Sequence, residues 1–256
     1  MKKNKIKDKR PPALKDQHMP KDFSISLKAY GGGGTTKSLN PKPKKLKYQS
    51  MKGFESQYKN IIDYIVRITY RIWEEKNIGY IYDAYSKDCR VWDEFGLQFG
   101  SEKIVSDTVH TNNAFPNIRL FADEVIWAGD EKNSFHTSHR TIITGKNTGY
   151  SKFSPPTGKS VRLLCIANCV AKNNEIYYEN VVYDTVTLIK QLGLNVNEIA
   201  KEIANQGNVG PFAPDFKNSK PKRIISKSNK MKVEIPNKIS NIRDFAEAVF
   251  DTIWNR

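Results

Sequence analysis

The sequence predicts an α+β fold, because helical patterns come first and a run of long strand patterns follows, without alternation between the two. Apolar residues Ile61, Ile62, Ile65, Ile68, Ile72 and Trp73 keep helical spacing through to Gly79. Four later runs are rich in β-branched and aromatic residues. Their connections carry Gly129-Asp130, Gly145 to Gly158 and Asn173-Asn174, all turn chemistry.

In chain order, Ile78–Tyr85 reads as a second, short helix rich in Tyr, and Cys89–Trp92 as a strand. Gly96–Gly100 reads as a turn and Ser101–Asn113 as a helix capped by Ser101, stopped by Phe115-Pro116-Asn117. The long strands are expected over Ile118–Ala128, Ser134–Gly145, Ser160–Ala171 and Ile176–Tyr183. A last helix carries Leu188, Ile189 and Leu192 and stops at Gly193. Asp184 stands where that strand hands over to that helix. It is either the helix's N-cap or a carboxylate whose surroundings raise its pKa for general acid–base work.

The formal charge of +15 is unevenly spread. Residues 1–52 hold 15 Lys/Arg against 3 Asp/Glu, and residues 217–232 hold 7 Lys/Arg and no acid. Between them, 53–216 hold 17 basic and 20 acidic residues, so the expected folded domain is slightly acidic. The basic segments are poor in apolar residues and read as a largely disordered tail and a linker, not as specific nucleic-acid readers. Within the tail, Phe23–Tyr30 alternates like a short strand. Gly31–Ser38 is a near miss to a phosphate loop, spoiled by Thr36 before Lys37 and by Pro41 and Pro43. No apolar run is long enough to span a bilayer, and the N-terminus lacks the apolar stretch of a secretory signal. Cys165 and Cys169 share one strand face about 13 Å apart, too far for a disulfide. With Cys89 they suggest a reduced, cytoplasmic protein.

Beyond the domain, Asp63-Tyr64 and Ile72-Trp73 recur as Asp244-Phe245 and Ile253-Trp254 at an offset of 181 residues. Residues 241–256 therefore read as a helix like the start of a second, incomplete repeat. Residues 196–240 read as a helical extension and basic linker.

The Pro155-Pro156-Thr157-Gly158-Lys159 turn, the strands that follow it, Asp184 and Gln191-Leu192-Gly193 resemble the SnoaL-like polyketide cyclase family of the nuclear-transport-factor-2-like superfamily. Phe115-Pro116-Asn117 and the two leading helices fit the same pattern, and the resemblance covers roughly residues 53–195. It implies a cone of curved antiparallel sheet closed by N-terminal helices around a central pocket. It also implies dimerisation through the open sheet face, and chemistry without metal or cofactor. In the cyclases the aspartate matching Asp184 is a general acid/base on a carbonyl substrate, which makes a small, apolar carbonyl compound the expected ligand. Period-2 geometry puts Tyr178, Asn180, Val182 and Asp184 on one face. Asn180 stands where related sequences commonly carry Trp, so a more polar pocket is implied.

His136 and His139 are three apart and point to opposite faces, so they cannot share a metal. His139, on the face of Phe135, Thr137 and Thr141, is the preferred pocket histidine. Trp73, Trp92, Trp127 and Tyr80 are candidates for aromatic packing against a ligand. The expected function is small-molecule binding, with cyclase or isomerase chemistry at Asp184 and His139. The alternative is a non-catalytic ligand-binding or dimerisation module of the same fold.

Overall fold

Asn60 opens the first helix by accepting the Asp63 amide on its side chain at 2.9 Å, while the Asp63 carboxyl accepts the Lys59 amide at 2.8 Å. The first bond satisfies an orphan donor of α1, Ile61–Trp73, and the second ties the helix to the residue before its cap; the helix's apolar face is buried. The structure, a computed structural model, describes residues 11–12, 14–20, 24–26, 46–206 and 241–249. After α1, a 3-10 turn at Ile78–Tyr80 runs into α2, Ile81–Ala84. The elements that follow are β1 (Tyr85–Asp93), β2 (Gly96–Phe99) and α3 (Ser101–Ala114). Then come β3 (Arg119–Asp130), β4 (Ser134–Lys146), β5 (Ser160–Lys172) and β6 (Glu175–Tyr183). The first unit ends with α4 (Thr185–Gln191) and α5 (Val196–Gln206). The expected turn at Gly96–Gly100 is thus a short strand, and Gly100, with φ 86°, caps α3 in place of Ser101.

The strands form one open six-stranded sheet in the order β2-β1-β6-β5-β4-β3. It is mixed rather than wholly antiparallel, because β1 runs parallel to β6. These two strands are joined through α3 and β3–β5, so no hairpin dictates their relative direction. Register shifts fall in β1 between Tyr85 and Arg90, in β3 between Ala122 and Glu124, and where β5 and β6 pair at Val170/Ala171. Such bulges bend strands and increase their twist. On the inner face lie Phe135, Val161, Leu163, Ala167, Ile176 and Val181, packed in one core with α1.

That core reaches back to Ile25 and Met51, and the Trp127 indole N–H donates to the Ile25 carbonyl at 2.8 Å. The expected strand at Phe23–Tyr30 is described only over 24–26. The near-miss phosphate loop, most of the basic tail, the linker over 207–240 and residues 250–256 lie outside the described residues. The chain divides into two units, Met1–Ala213 and Pro214–Arg256. In the second, α6 (Ile242–Val249) is capped by Asn241, which accepts the Asp244 amide at 2.9 Å. This is the cap of α1 repeated at the same 181-residue offset. Among the described residues, no helix is long and apolar enough to cross a membrane.

Candidate functional site

Small side chains on the middle of β5 leave room above the sheet. Cys165, Ala167 and Cys169 occupy the inner face where the flanking strands carry Tyr183, Val181 and Glu179 on one side and Thr141, His139 and Thr137 on the other. The result is a cavity of about 230 Å³ between the sheet, α1 and α3, lined mostly by apolar side chains.

Glu179 is the buried acid of this cavity. The register shift lets Ile176 and Glu179, three residues apart, both face inward, because Val170 pairs with Tyr178 and Ala171 with Ile176. Its carboxylate accepts the Tyr85 hydroxyl at 2.9 Å. Burial pushes its pKa up to about 6; the Tyr85 and Cys169 hydrogen bonds pull the other way, and no cation among the described residues offsets the burial. Burial likewise raises the Tyr85 phenol and the Cys169 thiol, so both remain protonated donors. Across the narrow floor of β5, His139 is buried and its pKa is pushed down to about 4, which keeps the imidazole neutral at pH 7. Its Nδ1 has no hydrogen-bond partner among the described residues. A buried polar atom without a partner on a cavity wall is open to a ligand group.

The rim is built from three connections. Asp93, Glu94 and Phe95 lie at the β1–β2 turn, Lys152 and Phe153 follow β4, and Thr185 begins α4. The Pro155–Lys159 turn does not reach into the cavity; it secures this rim. The Asn147 side chain, fully buried, accepts both the amide and the hydroxyl of Thr157 at 2.8 and 2.9 Å. It donates to the carbonyls of Gly149 and Ala114 at 2.8 and 3.2 Å. A Cβ at Gly149 would meet the Asn113 carbonyl oxygen at 2.1 Å, so the loop closes only with glycine there.

Several expected site residues stand elsewhere. Asp184 is exposed, accepts the Thr187 amide at 3.1 Å as N-cap of α4, and has a lowered pKa from that hydrogen bonding. The alternation of β6 was read correctly but on the wrong face: Glu179, Val181 and Tyr183 point in, whereas Asn180, Val182 and Asp184 point out. Tyr178 is buried, on the same outward register. Trp92 pairs with Asn180 and does not line the cavity. Trp127 packs against Phe135 at the β3 edge. Tyr80 donates to Glu55, contacts the Tyr58 hydroxyl at 2.8 Å and lies under the Arg71 guanidinium, a network away from the cavity. His139 and Trp73 do line it. Glu179 went unmarked in the sequence. The signal available for Glu179 was one acid inside the apolar run from Ile176 to Val182. Among the described residues, no group of three or more metal-ligating side chains comes together.

No protein-family profile matches the chain, and no curated protein sequence does. Solved structures do resemble it. One, described as a candidate SnoaL-like polyketide cyclase from Jannaschia, is 14% identical over 55% of this chain and 99% of its own, with a TM-score of 0.46. A candidate polyketide cyclase from Streptomyces antibioticus is 17% identical over 52% of this chain and 98% of its own, with a TM-score of 0.45. A candidate hydroxylase from Streptomyces galilaeus is 18% identical over 51% and 92%, with a TM-score of 0.44. The assignment of fold rests on the chain's own strand order and helix cover. In architecture the first unit is an α+β fold with an open, mixed six-stranded sheet, and the solved structures it resembles include SnoaL-like polyketide cyclases.

Proposed function

We propose that this chain binds a small, largely apolar carbonyl compound in the cavity and moves a proton on it with Glu179. One observation carries the reading. A carboxyl with a pKa raised to about 6, held by Tyr85 and paired with no cation among the described residues, faces an apolar cavity. At neutral pH such a group is mostly ionised, yet more basic than an ordinary carboxylate. It would accept a proton from the carbon next to the carbonyl while the C–H electron pair moves onto the carbonyl oxygen. Return of that proton to another atom of the enolate completes an isomerisation, and attack of the enolate carbon on a second carbonyl forms a ring. Neutral His139 would donate one hydrogen bond to the developing oxyanion. The reaction class is the one expected of Asp184; the acid assigned to it is different. The free, buried thiols of Cys89, Cys165 and Cys169 fit a cytoplasmic, reducing setting.

The test is proton–deuterium exchange at the methyl group of acetophenone, followed by NMR in buffered D₂O. Wild-type protein should accelerate exchange, and Glu179→Gln should lose about 10²-fold or more of the acceleration. Equal rates for the two proteins would exclude Glu179 as the base.

A second reading, a dimerisation module, is favoured by the outer sheet face. Ile166 and Val182 are paired neighbours exposed to 38% and 64%, with Leu164 exposed to 40% beside them. Light scattering on Val182→Glu should then show a smaller mass than wild type, and a wild-type monomer would dismiss this reading.

A further inference from the structure

At the rim the cavity changes chemical character. The Lys152 ammonium lies 4.6 Å from the centroid of the Phe95 ring, beside the Glu94 carboxyl, and Phe153 packs 6.3 Å from Phe95. Glu94 is exposed as a residue, but its carboxyl lines the cavity and accepts the Thr185 hydroxyl at 3.1 Å. Asp93, one residue before, lines it too. Among the described residues Lys152 makes no hydrogen bond and no close ion pair, so the ring face and the neighbouring acid are what hold its charge. Aromatic faces next to carboxylates are what attract an alkylammonium group. Here that place is taken by a side chain of the chain itself, one that rotates away at little cost.

A second observation comes from deeper in the cavity. The His139 Nδ1 is buried, without a partner among the described residues, and lines the same cavity. Glu179 pairs in register with Val91, three residues before Glu94. At ~3.3 Å per residue the two acids start about 10 Å apart along the strand. The site therefore has a cation-seeking rim and a hydrogen-bonding interior, with apolar walls between.

We propose that the cavity selects small molecules carrying a protonated amine, whose ammonium replaces that of Lys152 between Glu94 and Phe95. The apolar, carbonyl-bearing end of such a molecule is then directed toward Glu179 and His139. This rests on the reading of the cavity as a small-molecule site and adds to it the charge and polarity of the ligand. Carboxylate and phosphate compounds are disfavoured by the same acids.

Three probes of one shape test it by calorimetry at neutral pH: para-(aminomethyl)acetophenone, para-(hydroxymethyl)acetophenone and para-acetylbenzoate. The ammonium probe should bind about tenfold more tightly than the alcohol, and the carboxylate more weakly than either. In Glu94→Gln the ammonium and alcohol probes should bind alike. In Lys152→Gln the ammonium probe should gain affinity, because its competitor is gone. Thermal unfolding of each variant checks that it is folded. Equal binding of ammonium and alcohol by wild type, or an ammonium preference that survives Glu94→Gln, overturns this inference and leaves the cavity as a small-molecule site. Failure of all three probes to bind removes the cavity reading and this inference with it.

Discussion

Glu179 and His139 face one cavity with opposite proton preferences, and this has a consequence for stability. Glu179, raised to about 6, holds its proton more tightly in the folded chain than in the unfolded one. Its contribution is present below the unfolded carboxyl range and is lost as pH rises through 6. His139, depressed to about 4, resists protonation when folded, so its contribution is lost as pH falls from the unfolded imidazole range toward 4. Between about pH 4.5 and 6 the two oppose each other. Glu179→Gln should leave His139 unopposed, so the variant loses stability on acidification more steeply than wild type, by roughly 1 kcal/mol across that window. Urea unfolding at the two ends of the window measures this, and parallel profiles would refute it. Asp184 makes the contrasting case. Its carboxyl caps α4 and faces solvent, so Asp184→Ala should lower the unfolding midpoint through loss of that cap. Affinity for a cavity ligand should be unchanged, by calorimetry on folded protein.

At the level of elements, the long strands were legible because alternation is a local signal. Val161, Leu163, Cys165, Ala167 and Cys169 announce β5 and its buried face. Strand β2 was not legible: Gly96-Leu97-Gln98-Phe99 has only three residues between Gly96 and Gly100, and only its pairing with β1 makes it a strand. The same limit explains the exchange of Asp184 for Glu179. Asn180, Val182 and Asp184 alternate as regularly as Glu179, Val181 and Tyr183, and which set faces inward is decided by packing against α1 and α3. The Pro155–Lys159 turn was recognisable, but its role depends on Asn147, which is distant in sequence from Ala114. Asn147→Ala would strand the Thr157 donors and the Gly149 carbonyl. It should cost about 2–3 kcal/mol in denaturant unfolding, far more than Lys159→Ala at an exposed position of the same loop.

At the scale of the whole molecule, the domain draws on chain well before its first helix. Ile25 is in the core and its carbonyl takes the Trp127 indole N–H. A chain starting at residue 46 should therefore be less stable by roughly 3 kcal/mol, from the buried side chain and the lost hydrogen bond. A chain ending after Gln206 keeps every cavity-lining residue, since the last of them is Leu188, and should bind ligand as the full chain does. Thermal shift and calorimetry on the two truncations separate these outcomes. The Asn147 amide has a further consequence for how the site exchanges its contents. Bonded on one side to the end of α3 and on the other to the turn at Thr157, it couples helix and rim into one mechanical piece. A doorway framed in this way does not swing. Traffic through it depends on the rotation of Phe95, Lys152 and Phe153 side chains, on the nanosecond scale of such motions. Residence time is then governed by how well the guest fits the room.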